Sequence, residues 1–497
     1  MGTKASARLG RTDMLVATTL FFGGLAFLFS FAPLSRPAVL DPATWDLMSL
    51  GLLEGRIPYR DVFLHKTPGG ALLGAMGATL LPRLPGLGLT AFEGAHALFV
   101  ILGATGPALL FLICRRHQRL VVAMSAALLM VAFDQWPTAS LEGVRPKVAT
   151  TVFGLAALLA AGGGRAFTAG LAAGLSAMCW QPGLCYLGGA AWELLGRGPR
   201  AGTGRPLWSL LAGAAVAPGA IAIWLWSAGA AAEFIDQAII FNLSYIDWHA
   251  RSPAGTTTQL LRLARSWNHT ELWLAPAALA GLVTGTRGRG PGPLTVAGIL
   301  YLAMSFVSLQ AWPDTIMFAP FVAAGLALGL ARLITACAGH LAPERLVANS
   351  TATGLAALIL LSALLAATPK AVRMRTPVSF DEQAAFISEL EDGLGKDDPV
   401  LVIGFPEFSI HTGRHSLWPW PYMWFGVDRF VAERAEGGFS GMLGRLEEAD
   451  PPLIIVARKW SGPLRRRFHD WARNRYRLEE RFFYPHTKRP LRIYRRR

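Results

Sequence analysis

Apolar runs alternate with short basic loops over the first three quarters of the chain, which predicts a bundle of membrane helices. The first run, about Met14 to Leu34, follows Lys4, Arg8 and Arg11, a flank that suits a cytoplasmic amino terminus. Further spans are expected at about Leu89 to Ile113, Leu120 to Phe133, Val148 to Ala161 and Leu207 to Ala228. Two shorter segments fill Phe167 to Leu195, with a turn near Trp180-Gln181-Pro182-Gly183. Later runs, at Leu272 to Thr284, Pro293 to Leu309, Asp314 to Leu333 and Thr351 to Ala367, complete the set. The run Pro68 to Leu81 is too short to cross a hydrocarbon core of roughly 30 Å and reads as an interfacial or partly inserted helix. Basic clusters at Arg115, Arg116 and Arg119, at Arg165, at Arg197, Arg200 and Arg205, at Arg287 and Arg289, and at Arg332 and Arg345 fall in alternate loops. The count is about eleven crossings, with Asp41 to Gly88, Asp134 to Lys147, Gly229 to His269, Gln310 to Asp314 and everything after about Lys370 on the extracytoplasmic side.

Beyond that point the pattern changes period. Phe380 to Leu394 reads as a helix, Val400 to Gly404 and Leu453 to Ala457 as buried strands, and Leu464 to Tyr476 as a basic helix. Pro451-Pro452 and Gly404-Phe405-Pro406 are turn signals beside the strands. The expected fold is a polytopic α-helical membrane protein, residues 1–369, with a small extracytoplasmic α/β domain over 370–497. Gly404 does not open a dinucleotide fingerprint, because the further glycines are missing.

Composition agrees with the pattern: 53% of the 497 residues are hydrophobic and only 16% charged, which excludes an ordinary soluble globular chain. The net charge of +15 would suggest nucleic acid in a soluble protein, but the basic residues sit in short loops and at the carboxy-terminal end, where membrane orientation and anionic headgroups account for them. Nucleic acid is not an expected partner; membrane lipids are. The four cysteines, Cys114, Cys179, Cys185 and Cys337, lie in or beside apolar segments and define no disulfide framework, although a bridge between Cys179 and Cys185 is conceivable.

The polar stretch Asp41 to Gly70 interrupts the apolar amino-terminal half. Thr44 to Glu54 has no uniform apolar face and is compatible with a short interfacial helix ended by Gly55. The following loop crowds Arg56, Arg60, Asp61, His65 and Lys66 between prolines and glycines, a density of ionisable groups that reads as a site. Each has a plainer reading. Asp41 before a helix is a standard amino-terminal cap, and Arg56, Arg60, Lys66, Arg145 and Lys147 could be interfacial side chains reaching to headgroups. Asp41 with Asp46 invites a metal-pair reading, weakened by the lack of a nearby histidine ligand. His411 and His415 at zinc-like spacing are separated by Thr412-Gly413-Arg414, which argues for a turn. Glu93 and His96 inside a span either pair or face a cavity. The basic ends, Arg465 to Arg467 and Arg495 to Arg497, read as solvated or lipid-facing surface.

The run Gly55-Arg56-Ile57-Pro58-Tyr59-Arg60-Asp61-Val62-Phe63, followed by His65-Lys66-Thr67-Pro68-Gly69, resembles the signature of polytopic glycosyltransferases of the protein-mannosyltransferase type, which take a sugar from a polyprenyl phosphate. Asp41 occupies the position of the acidic residue that opens the first extracytoplasmic loop in such enzymes. Gly143-Val144-Arg145-Pro146, Gly170 to Leu175 with Gln181-Pro182-Gly183, and Val400 to Gly404 with Ile410 to Arg414 also resemble family segments. Two departures are plain: Pro42 stands where a second carboxylate is frequent, and Trp180 where lysine is.

The resemblance implies a polyprenyl-phosphate-linked sugar donor, mannose-like or another hexose or pentose, and an extracytoplasmic acceptor hydroxyl on glycan, lipid or protein. It also implies a multi-pass protein of the cytoplasmic membrane. A phosphate leaving group needs cations rather than a strong general acid, and the hydroxyl needs a base. Asp41 is the expected base, in an inverting single displacement. Arg60, Lys66, Arg145 and Lys147 are the candidates for the phosphate, with Asp61 and His65 orienting them. No cofactor is called for; a divalent cation is compatible. A lipid-linked sugar flippase or transporter and a non-catalytic assembly subunit are the rival classes, though no internal repeat of the spans supports a transporter.

Overall fold

The computed structural model describes residues 9–196, 205–244, 275–284, 292–308, 312–338, 378–423, 426–457, 460, 463–482 and 491–497. The first apolar run is α1 (Arg11–Phe29), which packs along α4 (Ala91–Arg115) where Gly24 lets it approach the backbone of Ala104. Asp13 and Arg115 join the two helices by a 2.8 Å ion pair.

Between them lie α2 (Leu40–Leu53) and α3 (Gly69–Leu80). Helix α2 begins four residues before the expected Thr44 and is packed into the protein. Thr44, Trp45, Asp46, Met48 and Ser49 are all buried, which explains why no single apolar face could be read from the sequence. Helix α3 is lined by buried Gly69, Gly70, Gly74 and Gly77. A Cβ at Gly70 would come within 2.4 Å of the Pro146 ring, so glycine here lets the helix sit directly against the fourth apolar segment.

After α4 come α5 (Leu120–Ala132) and α6 (Gln135–Leu141), bent from it by 58°. The stretch expected as a loop, Asp134 to Lys147, is therefore largely a buried helix. Helices α7 (Pro146–Gly162), α8 (Ala166–Cys179), α9 (Leu184–Leu195) and α10 (Arg205–Ser227) follow, with the turn near Trp180 to Gly183 where the sequence placed it. Then α11 (Ala231–Phe234) runs into a π-helical turn, Ile235–Ile240. Helices α12 (Ala275–Thr284), α13 (Pro293–Ser308) and α14 (Ala319–Ala338) complete the described bundle, α14 preceded by a 3-10 turn over Trp312–Phe318.

By length and apolarity, Arg11–Phe29, Ala91–Arg115, Arg205–Ser227 and Asp314–Leu333 are each long enough to cross a membrane, and the bent α5–α6 pair would make a fifth span. Pro146–Gly162, Ala166–Cys179 and Pro293–Ser305 are apolar but shorter. The expected spans from Leu272 and to Leu309 are described only in part, and the run Thr351 to Ala367 lies outside the described residues.

The carboxy-terminal α/β unit starts at α15 (Phe380–Glu391), capped by Ser379 and Glu382. Strand β1 (Val400–Ile403) leads to α16 (Pro406–Thr412), α17 (Val427–Arg434) and α18 (Gly438–Ala449), then β2 (Leu453–Val456), α19 (Pro463–Arg475), β3 (Tyr476–Arg481) and β4 (Leu491–Arg496). The sheet order is β1-β2-β4-β3, with β1 and β2 parallel and the other pairs antiparallel. The last two strands were not expected: Arg495 and Arg496 belong to β4, whose Ile493 and Tyr494 are buried. Alternation in β1 and β2 feeds two cores. Val400, Val402, Leu453 and Ile455 pack with Ile387, Leu390 and Phe408, while Leu401, Ile403, Ile454 and Val456 pack with Trp460, Phe468 and Trp471. The second core also takes in Phe63 from the signature loop and Phe241 from beyond the π-helical turn.

Candidate active site

The site is built on the turn that enters α7. Gly143 has φ +98°, and a Cβ there would meet His96 Nε2 at 2.5 Å and Asp46 Oδ2 at 3.0 Å, so only glycine allows the chain to reverse against α2 and α4. The next amide, Val144 N–H, donates to Asp46 Oδ1 at 3.2 Å. This reversal places Glu142 and Arg145 beside the start of α2. Arg145 donates through Nε to Glu142 Oε2 at 3.0 Å and through Nη1 to Asp41 Oδ2 at 2.9 Å. Arg145 and Glu142 are buried, whereas the Asp41 side chain is 36% exposed. The arrangement is a half-open carboxylate held from behind by a buried guanidinium, itself neutralised by a second carboxylate.

Asp41 is not a cap. The helix starts one residue earlier, its N-cap is Val39, and no side chain caps it. Asp41 lies in the first turn, where the helix dipole favours a negative charge.

The second half of the site comes from the end of the signature loop. Lys66 is recessed, its Nζ standing 5.9 Å from the centre of the Trp45 ring. Burial holds its pKa below the ordinary lysine value, reinforced by Lys147 and opposed by Asp41 and Asp314. Lys147, on the first turn of α7, forms a 2.6 Å ion pair with buried Asp314 and lies 4.8 Å from the Trp180 ring. Lys66, Arg145, Lys147 and Asp41 therefore share one electrostatic environment. Arg145 and Lys147 each have a carboxylate in contact; among the described residues Lys66 has none within ion-pair distance.

The other candidates from the loop do different work. Arg60 is exposed, pairs with its neighbour Asp61 at 2.9 Å and reaches the carbonyl of Ala228 at the end of α10. That guanidinium holds the Asp61 carboxyl below the usual carboxylate range, while Asp61 Oδ2 accepts the Ile57 amide at 2.7 Å and closes the loop. His65 hydrogen-bonds Tyr422 of the carboxy-terminal unit through Nδ1, and burial, then the charge of Lys66, push its pKa down to about 3. Arg56 binds the carbonyl of Asp61 and the His415 ring. The structure thus brings Asp41, Lys66, Arg145 and Lys147 together, and turns Arg60 and Asp61 to the support of the loop.

Asp46 does not pair with Asp41: five positions along a helix place them about 140° apart, and Asp46 is buried 3.3 Å from His96. Glu93 does not pair with His96; it closes the capping box with Thr90 at the start of α4. His411 bonds Gln383 at 2.8 Å while His415 lies near Glu54, and Gly413 at φ +68° makes the expected turn between them. Among the described residues no three His, Cys, Asp or Glu side chains converge as metal ligands. Cys114, Cys179 and Cys185 are buried free thiols, so Cys179 and Cys185 form no bridge. Glu142 and Asp314 escaped the sequence reading, and Asp46 entered it only as a metal partner for Asp41. Their signal was present: a lone acid or base in an apolar run needs a partner, and each supplies one.

No protein-family model matches the chain, and no curated relative matches it in sequence. Its fold does match solved structures. It superposes on ArnT from Cupriavidus metallidurans with a TM-score of 0.54 in the apo state and 0.52 in the structure bound to undecaprenyl phosphate, in each case at 12% identity over 97% of both chains. It superposes on the apo oligosaccharyltransferase from Archaeoglobus fulgidus with a TM-score of 0.54 and 12% identity, over 88% of this chain and 69% of that one. The chain therefore shares its fold with ArnT and with this oligosaccharyltransferase. It is a membrane protein with a small carboxy-terminal sheet.

Proposed function

We propose that the protein transfers a sugar from a polyprenyl-phosphate donor to an acceptor hydroxyl, with Asp41 as the base and Lys66 as the principal cation for the donor phosphate. The observation that carries this reading is the pairing pattern: among the described residues, Arg145 and Lys147 each have a carboxylate in contact and Lys66 has none. A recessed ammonium in that condition favours an anion, and a phosphate supplies one. The undecaprenyl phosphate in the ArnT structure supports the same donor class on the same fold.

The reaction is an inverting single displacement. Asp41 takes the acceptor proton as the acceptor oxygen bonds to the anomeric carbon. The bond from that carbon to the phosphate oxygen breaks at the same time, and the polyprenyl phosphate leaves with the electron pair. Arg145 fixes the rotamer of Asp41 through its 2.9 Å hydrogen bond. Lys66 stabilises the charge that grows on the departing phosphate. Arg145 and Lys147, each already neutralised, add field rather than direct contact. Arg60, Asp61 and His65 act by shaping the loop that presents Lys66. No metal-ligand set is built at this site among the described residues.

On this reading the protein crosses the cytoplasmic membrane about eleven times with its amino terminus inside. The loop 35–88 and residues 370–497 then face the extracytoplasmic side, where the glycan, lipid or protein acceptor waits. The test is a transfer assay with purified protein in vesicles carrying polyprenyl-phosphate sugars. Release of polyprenyl phosphate coupled to glycosylation of an acceptor supports the proposal. Translocation of the lipid-linked sugar without transfer would make the protein a flippase, and neither activity across a panel of donors would leave an assembly subunit.

A further inference from the structure

The segment that contacts the back of the signature loop lies some 170 residues away in the chain, and the loop is strained where that contact is made. Tyr59 has φ +74°, a left-handed conformation that a bulky side chain seldom adopts. It is nonetheless buried and packs edge-on against Phe234. Its hydroxyl donates to the carbonyl of Lys66 at 2.8 Å, and its own amide donates to the carbonyl of Val62 at 2.8 Å. Gln237, on the π-helical turn, completes the arrangement with both ends of its amide. Its Nε2 donates to the carbonyl of Tyr59 at 2.8 Å, and its Oε1 accepts the amide of Leu64 at 3.0 Å. Asn242 donates to the carbonyl of His65. The backbone on either side of the turn is therefore bound by side chains, while among the described residues Lys66 Nζ has no hydrogen-bond or ion-pair partner.

We infer that Tyr59 and Gln237 are positioning residues for Lys66, holding the loop so that its ammonium points at the donor phosphate. The inference rests on the proposed role of Lys66. Strain of this kind persists where the surroundings over-determine it, and it concentrates at sites where geometry matters more than local comfort. A type of turn that glycine would form without cost is here formed by tyrosine, and what tyrosine adds over glycine is the ring in the core and the hydroxyl on the Lys66 carbonyl. The π-helical turn fits the same logic, since such turns carry one extra residue per turn and re-aim side chains at functional places. Gln237 uses its amide as a strand would use its backbone, pairing with one carbonyl and one amide of the loop.

The experiment compares Y59F, Q237M and K66A with the unaltered full chain in detergent or nanodiscs, measuring affinity for undecaprenyl phosphate and for the neutral undecaprenol. Y59F keeps the ring and loses only the hydroxyl; Q237M keeps the volume and loses both hydrogen bonds. Each is expected to weaken phosphate binding by roughly three- to ten-fold, the effect of losing one or two hydrogen bonds, and to leave undecaprenol binding unchanged. A purely structural defect would weaken both ligands alike, and that result in Y59F and Q237M would overturn the inference. If K66A lowers the preference for phosphate while Y59F and Q237M do not, the positioning role is wrong and the role of Lys66 stands. If K66A leaves the preference unchanged, the reading of Lys66 itself fails, and the inference with it.

Discussion

Arg145 Nη1 donates to Asp41 Oδ2 at 2.9 Å across 104 positions of sequence, and the same guanidinium is bound from its other edge by Glu142. Each carboxylate has a separate consequence. Glu142 neutralises a buried cation, so Arg145 stays compensated when Asp41 changes.

The D41N variant should therefore fold and insert. It keeps the size of the side chain and removes the charge that accepts the proton. Sugar transfer should fall by roughly a hundred- to ten-thousand-fold while affinity for the polyprenyl-phosphate donor changes little, as read from single-turnover rates beside a lipid-binding titration. Near-normal transfer would return Asp41 to a merely electrostatic partner of Arg145.

Lys147 and Asp314 form a buried pair at 2.6 Å, and removing one member strands the other. K147A should lower stability by about 3–5 kcal/mol, and the double replacement K147M with D314L should recover most of that loss. Thermal melting of the detergent-solubilised protein measures both. An additive double variant would show that the two residues are not coupled.

At Gly143 the conformation and the space act together. G143A places a methyl 2.5 Å from His96 Nε2 at a φ of +98°, and the left-handed conformation alone costs about 1–3 kcal/mol. The expected result is a lower melting temperature together with a loss of transfer, because the displaced turn carries Glu142 and Arg145. H96A, which opens space beside the methyl, should restore part of the stability in the double variant, whereas no gain would place the strain elsewhere.

Acid should destabilise the carboxy-terminal unit and the signature loop that packs on it. Burial pushes His65 and His469 down to about 3 and His411 to about 4, from an ordinary value of 6.5. Between those limits the unfolded chain binds protons that the folded one refuses. Stability is then complete above about pH 6.5 and declines as the pH falls toward 4. The slope of melting temperature against pH should flatten when His469, which bonds Tyr494 at 2.5 Å, is replaced by Gln. An unchanged slope would mean that other groups take up the protons.

The sequence by itself determined what depends on local pattern. Apolar length called for membrane helices, and four of them meet that length; short continuous apolar runs called for β1 and β2 within a residue of their ends; Gly55 and Gly413 marked chain reversals where they stood. Lys66 was legible because ionisable groups crowd its loop beside apolar runs, Arg145 and Lys147 because they stand at a span end, and Asp41 through the position it holds in the resembling signature. What only the tertiary structure decided is who pairs with whom. Glu142 and Asp314 neutralise two of the three cations, and Gln237 holds the loop that carries the third. Strands β3 and β4 were hidden for the same kind of reason. Arginine-rich segments give a weak apolar period of their own, and β4 becomes a strand through the hydrogen bonds that β2 offers it, β3 through those of β4. Pairing energies depend on distance in space, and helices α2, α4 and α7 bring together residues that the chain keeps about a hundred positions apart.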